Sequence, residues 1–179
     1  MTNSSDTITA AAQVQDGPRG IGGWMILPII GLVGTLVFTL INLYGVVTEW
    51  EGIKAIIAGE NQTTAALRLP VAASFLGGLV LICLAALCLY RIFTYSPSVP
   101  RLMTIFYIGL VVVSLAELAG DSYVSSLTNT PSDPTHIKDL VRALVGSAIW
   151  IPYFHRSRRV ANTFRTQEAA VDRKIGEIF

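Results

Sequence analysis

The sequence predicts an all-α integral membrane protein, a four-helix bundle of two antiparallel hairpins with both termini in the cytoplasm. Of the 179 residues, 52% are hydrophobic and only 14% are charged, and the mean hydropathy is +0.56. Soluble domains average about 25% charged residues, and here the charges are missing from long continuous runs. A third observation is the segment 150–159, where an apolar run ends in aromatic residues and then arginines. That order is typical of a chain leaving a bilayer.

Four apolar runs predict the membrane-spanning helices, at about residues 24–47, 69–93, 102–119 and 137–155. The first run carries no charge and would extend about 36 Å as a helix, which exceeds the roughly 30 Å of hydrocarbon in a bilayer. Arg68 and Arg91 bracket the second run. Pro97 and Pro100 separate the second run from the third by a short break, so these two spans are expected to form an antiparallel hairpin.

The fourth run is the most polar, because Lys138, Asp139 and Arg142 lie in its first turns. Its uncharged part, 143–154, is too short to cross the membrane alone. The charged turns are therefore expected in the interface or against other helices.

The flanking segments complete the predicted organisation. Residues 20–165 form the four-span domain, between a disordered cytoplasmic tail at 1–19 and a cytoplasmic tail at 166–179. Two loops are expected on the outer side. The first, about 48–67, holds Trp50, Ile53, Ile56 and Ile57 at helical spacing, which indicates a short helix on the outer surface. The second, about 120–136, is polar and is expected to be irregular, with Asp133-Pro134-Thr135 as a candidate lead into the fourth helix.

The orientation follows from the Lys and Arg residues beside the spans, which are enriched on the cytoplasmic side of a membrane. Nine of these basic residues lie on the same side as the termini. The other four, on the opposite side, are Lys54, Arg68, Lys138 and Arg142. The nine are Arg19, Arg91, Arg101, Arg156, Arg158, Arg159, Arg165, Arg173 and Lys174. The count predicts a multi-pass protein of the cell inner membrane with both termini cytoplasmic.

Four charged residues at the outer ends of spans three and four are the first candidate site: Glu117, Asp121, Asp139 and Arg142. Their similar depth makes a Glu117–Arg142 or Asp121–Lys138 contact feasible. One interpretation is an interhelix ion-pair cluster that fixes the register of the two spans. The other is an entry point for ions or protons, since ionisable groups at membrane depth are functional candidates.

The sequence offers no catalytic residues, no cofactor site and no metal-ligating pattern, so no enzymatic activity is expected. Cys83 and Cys88 point about 140° apart on a helix, which makes a disulfide between them implausible. The net charge of +1 and the lack of a basic face outside the tail exclude a nucleic-acid partner.

The segment 142–164 resembles the end of a bacterial inner-membrane family, domain of unknown function 2569. The resemblance rests on the final-span phrase at 149–154, on Ser157-Arg158-Arg159-Val160, and on Thr163-Phe164. The opening phrase Gly22-Gly23-Trp24 also resembles the start of the family's first span. The resemblance implies a four-span inner-membrane protein and brings no catalytic residues.

The same closing phrase is the second candidate site, an interface anchor or docking segment. Trp150 and Tyr153 are suited to the headgroup level, with an apolar ring and a polar tip. Arg156, Arg158 and Arg159 are expected to meet anionic lipid from a helix along the membrane surface, at about 1 kcal/mol each. Contact with a specific protein partner is the alternative.

The sequence therefore predicts an accessory, scaffold or assembly subunit of a larger membrane complex, with the lipid bilayer and other membrane subunits or a second copy as partners. Small residues one turn apart, Ala73/Gly77 and Ser74/Gly78, let helices approach closely in lipid. Asn42 lies inside the first span, where an amide seeks a partner helix. The alternative is a small transporter or channel that uses the charged outer ends of spans three and four.

Overall fold

The structure is a computed structural model that describes residues 21–59 and 62–164. The predicted tails at 1–19 and 166–179 lie outside these residues. The described part is helical and contains no strand. After a 3-10 turn at Gly23–Met25, the helices are α1 Ile26–Thr48, α2 Trp50–Ala58, α3 Gln62–Phe93, α4 Val99–Thr128, α5 Pro134–Arg156 and α6 Arg158–Phe164.

Three segments are long and apolar enough to cross a membrane, Gly23–Thr48, Thr64–Phe93 and Val99–Thr128. They correspond to the first three predicted spans, and they make the chain a multi-pass integral membrane protein. The fourth predicted span lies in α5, which is not among the segments that meet this criterion in the described part of the chain. Its first turns hold Lys138, Asp139 and Arg142, the charges that set it apart in the sequence.

The predicted breaks between helices are partly right. Pro100 lies in the first turn of α4, where a missing N–H costs little, and a turn at 94–98 separates α3 from α4. The short helix expected near Trp50 is α2. The prediction of an irregular loop over 120–136 is correct for 129–133 and wrong for the rest, because α4 continues to Thr128 and α5 begins at Pro134. Asn129, directly after α4, adopts a left-handed conformation with φ of 54°. Residues 129–133 lie outside a helix and form the short turn before α5.

The long helices pack in the order α1, α3, α4, α5. We call the end that carries Gly22, the α3–α4 turn and α6 the terminal end, and the end that carries α2 and the α4–α5 turn the loop end. Close approaches fix the antiparallel register of these neighbours. Gly78 faces Thr39 of α1, Gly77 faces Val113 of α4, and Gly146 of α5 faces Tyr107 of α4.

The buried core is concentrated at the terminal end. It joins α1, α3, α4, α5 and α6 through Met25, Leu32, Leu81, Ala85, Cys88, Ile92, Val99, Met103, Phe106, Tyr107, Phe154, Val160 and Phe164. The outer surface of the long helices is mostly exposed apolar side chains, as expected where lipid is the solvent. The five helices therefore meet most closely at the end where the described chain starts and finishes.

Candidate functional site

The loop-end charges are brought together, although not through the predicted contacts. Glu117 of α4 is half-buried and lies near His136 and Asp139 of α5. Arg142 pairs instead with Asp139 of its own helix, at 2.7 Å. Within residues 21–59 and 62–164, the other ion pair is Lys54–Glu51, also inside one helix. The feasible Glu117–Arg142 and Asp121–Lys138 contacts are therefore not formed as ion pairs among the described residues.

Asp121 and Asp133 instead fix the turn between α4 and α5. The Oδ2 of Asp121 accepts a hydrogen bond from the backbone N–H of Asp133 at 3.1 Å. Asp133 in turn caps α5, because its Oδ1 accepts from the backbone N–H of Thr135 at 2.8 Å. Hydrogen bonding to Thr135 lowers the pKa of Asp133 from its ordinary value. The two carboxylates therefore accept hydrogen bonds from backbone N–H groups at this turn.

The aromatic residues that close α5 are only partly exposed. Trp150 and Tyr153 are half-buried against the core, and their rings meet edge to face with centroids 5.5 Å apart. Tyr153 also contacts the buried ring of Phe154, at 5.6 Å. Their apolar bodies therefore stabilise the terminal end, besides any contact with the headgroup region.

The closing phrase folds back onto the opening phrase. Ser157 is extended, with ψ of 120°, and separates α5 from α6. In α6, Val160 and Phe164 are buried in the core, and the Nη1 of Arg159 donates to the backbone carbonyl of Gly22 at 2.8 Å. We call the Gly22–Arg159 contact, together with Gly23, the terminal joint.

Gly23 is the residue that the terminal joint requires. Its φ is +58°, a conformation that L side chains rarely adopt, and a Cβ there would collide with the guanidinium of Arg159. The Nε of Arg159 is buried and has no hydrogen-bond partner in the described part of the chain. Arg159 is thus directed into the protein, unlike the expected lipid contact, whereas Arg156 and Arg158 are exposed.

Two further hydrogen bonds join α4 to α5, and neither was predicted from the sequence. The Oγ1 of Thr104 lies 2.9 Å from the Nε2 of His155, and the Oγ of Ser147 donates to the carbonyl of Tyr107 at 3.2 Å. The signal for them was present, since small hydroxyl residues inside spans commonly bond across helices. In the described residues, no group of three or more His, Cys, Asp or Glu side chains is placed to hold a metal ion.

These features define a multi-pass integral membrane protein, helical in its described part, whose first and last described segments meet at the terminal joint. The chain belongs to the family described as protein of unknown function DUF2569, whose model matches residues 18–165. The match confirms the resemblance drawn from the opening and closing phrases, and in the structure these two phrases contact each other. No curated protein and no solved structure matches the chain.

Proposed function

We propose that the protein is a non-enzymatic assembly subunit of the bacterial inner membrane that docks other membrane helices against α1. In this proposal α5 is a fourth span and both termini are cytoplasmic. The 23 residues of α5 extend about 34 Å. They follow α4 from the Thr104–His155 contact to the level of Glu117, where His136 lies close by. A helix paired with a spanning helix over that length supports a full crossing.

The orientation is supported by the distribution of arginines in the structure. Arg91, Arg101, Arg156 and Arg158 all belong to the terminal end, and Lys and Arg are enriched on the cytoplasmic side of spans. The terminal end is therefore proposed to face the cytoplasm and the loop end the outer side.

The observation that carries the docking proposal is an unpartnered face of α1. Gly31, Gly34 and Gly45 have open space where a side chain would project, with no atom within 4 Å. They share an arc of roughly 80° with Phe38 and Asn42, at about 100° per residue. Leu32 and Thr39, on the side that packs against α3, lie outside this arc. We call these five residues, Gly31, Gly34, Phe38, Asn42 and Gly45, the α1 glycine face.

Asn42 makes this face unsuited to lipid alone. Its side chain is exposed and has no hydrogen-bond partner among the described residues. An amide in hydrocarbon is stabilised by bonding to another helix, at about 0.6–1.7 kcal/mol, and glycines allow the close approach that such bonds need. The neighbouring side of α1 is different, with the bulky exposed residues Ile26, Ile30, Val33 and Val37. One side of α1 thus fits lipid and the other fits a helix.

The test is native mass analysis after extraction in a mild detergent. The wild-type chain, of 19.3 kDa, is expected in an assembly with further subunits or copies. A Cβ at Gly34 would have no atom within 4 Å, so Gly34→Leu is expected to fill the open face and release the single chain while the fold is retained. Val37→Leu, on the lipid-facing side, is the matched control and is expected to stay assembled. Wild-type protein that runs as a single chain would refute the proposal.

A further inference from the structure

Charge is strongly divided between the two ends of the molecule. All six acidic residues that the structure describes lie at the loop end: Glu49, Glu51, Glu117, Asp121, Asp133 and Asp139. The terminal end carries five arginines, Arg91, Arg101, Arg156, Arg158 and Arg159. In the described ranges, none of these guanidinium groups is paired with a carboxylate. The terminal end therefore has positive charge that no described acid neutralises.

Two of these arginines have partners inside the protein. Arg159 donates to Gly22, and the Nη1 of Arg91 donates to the Oγ of Ser96 at 3.3 Å. Arg101, Arg156 and Arg158 remain exposed. These three are the guanidinium groups available to a ligand.

The contact between Thr104 and His155 brings Arg101 close to the end of α5. Arg101 lies one turn before Thr104 on α4, and Arg156 directly follows His155. The 2.9 Å contact therefore places Arg101 and Arg156, both exposed and on different helices, near the same end of the seam between α4 and α5. Arg158 begins α6 just beyond them.

Below Arg101, α4 presents a continuous apolar stripe. Ile105, Ile108, Val112 and Leu115 follow Arg101 at intervals of three or four residues, so they share its face of the helix. Each is more than half exposed. The stripe extends about 21 Å from Arg101 at 1.5 Å per residue. A cationic group at the top of an exposed apolar stripe of this length matches a phosphate followed by an acyl chain.

We propose that the seam between α4 and α5 binds an anionic phospholipid, with its phosphate on Arg101 and Arg156 and an acyl chain along Ile105, Ile108, Val112 and Leu115. Guanidinium groups bind phosphate oxygens through two parallel hydrogen bonds. A free phosphate would use the arginines and leave the stripe uncovered, whereas a phospholipid uses both. Lipid binding at this seam does not depend on the α1 glycine face, so the lipid proposal and the docking proposal are tested independently.

The experiment measures lipid bound to the purified full-length protein in equimolar phosphatidylglycerol and phosphatidylcholine. Native mass analysis of the extracted protein is expected to show preferential retention of phosphatidylglycerol. Arg101→Gln is expected to reduce that retention about five-fold, since one arginine near an anionic surface contributes about a factor of that size. Arg101→Lys keeps the charge and is expected to retain most of the binding. Arg142→Gln, an equal charge change at the loop end, is the matched control and is expected to have little effect.

Two further measurements separate a phospholipid from a free anion. Ile108→Ser is expected to weaken phosphatidylglycerol binding, and added inorganic phosphate is expected not to displace the lipid. Displacement by inorganic phosphate, or an Ile108→Ser variant that binds normally, would assign the arginines to a free anion and overturn the proposal. Equal losses in Arg101→Gln and Arg142→Gln, or no preference for phosphatidylglycerol, would overturn it as well.

Discussion

Replacement of Phe164 by alanine is expected to lower the free energy of unfolding by about 3–5 kcal/mol, the usual cost of removing a buried aromatic ring. Phe164 ends α6, is fully buried, and packs in the core at the terminal end. Its ring also lies 6.5 Å from that of Tyr95, in the turn after α3. The loss should appear in detergent as a lower midpoint of unfolding, followed by circular dichroism.

The control for this prediction is Phe93→Ala. Phe93 ends α3 near the same end of the molecule, but its side chain is mostly exposed. Its removal is expected to change the midpoint far less. Equal effects of the two substitutions would mean that α6 does not dock onto the bundle.

The second large effect is expected for Gly77→Leu, which should prevent α3 and α4 from approaching as they do. A Cβ at Gly77 would lie 3.1 and 3.2 Å from the two methyl carbons of Val113, closer than ordinary contact. Leucine adds three more carbons, and overpacking of this kind costs about 1–3 kcal/mol or more. The expected result is a lower unfolding midpoint and a lower yield of folded protein on size exclusion.

Two variants separate overpacking from a general effect of substitution. Ala73→Leu, one turn away on an exposed position of α3, is expected to be tolerated. Val113→Ala in the Gly77→Leu background opens space on α4 and is expected to recover part of the stability. A Gly77→Leu protein as stable as the wild type would place the α3–α4 contact elsewhere.

The sequence predicted the apolar centres of the helices better than their ends. Hydropathy locates only the stretch suited to hydrocarbon. The helix that contains the predicted span 69–93 therefore begins earlier, at Gln62, and the helix that contains the predicted span 102–119 extends from Val99 to Thr128. The added turns lie outside the apolar centres, and α3 stays helical through Pro70. Small-residue spacing indicated close helix contact at Gly77 and Gly78. It did not indicate that one faces α4 and the other α1.

The site was harder to predict, because charge patterns assume that a cation faces water or headgroups. Arg159 has the same residue type and nearly the same position as Arg156 and Arg158, yet it bonds to Gly22, 137 residues away in the chain. Only the pairing of two distant phrases reveals this contact. Likewise, the sequence predicted that Glu117 and Asp139 lie at a similar depth. That Arg142 pairs with Asp139 of its own helix, and not with Glu117, depends on side-chain geometry.

The proposed four-span topology depends on whether α5 crosses the membrane, and thiol labelling in intact cells tests it most directly. In a background without Cys83 and Cys88, single cysteines replace the exposed residues Pro97, in the α3–α4 turn, and Ser132, in the α4–α5 turn, and also Arg158 at the start of α6. A membrane-impermeant maleimide is expected to label Ser132→Cys from outside the cytoplasmic membrane. It should reach Pro97→Cys and Arg158→Cys only in inverted vesicles. Labelling of Ser132→Cys and Arg158→Cys from the same side would contradict the four-span topology.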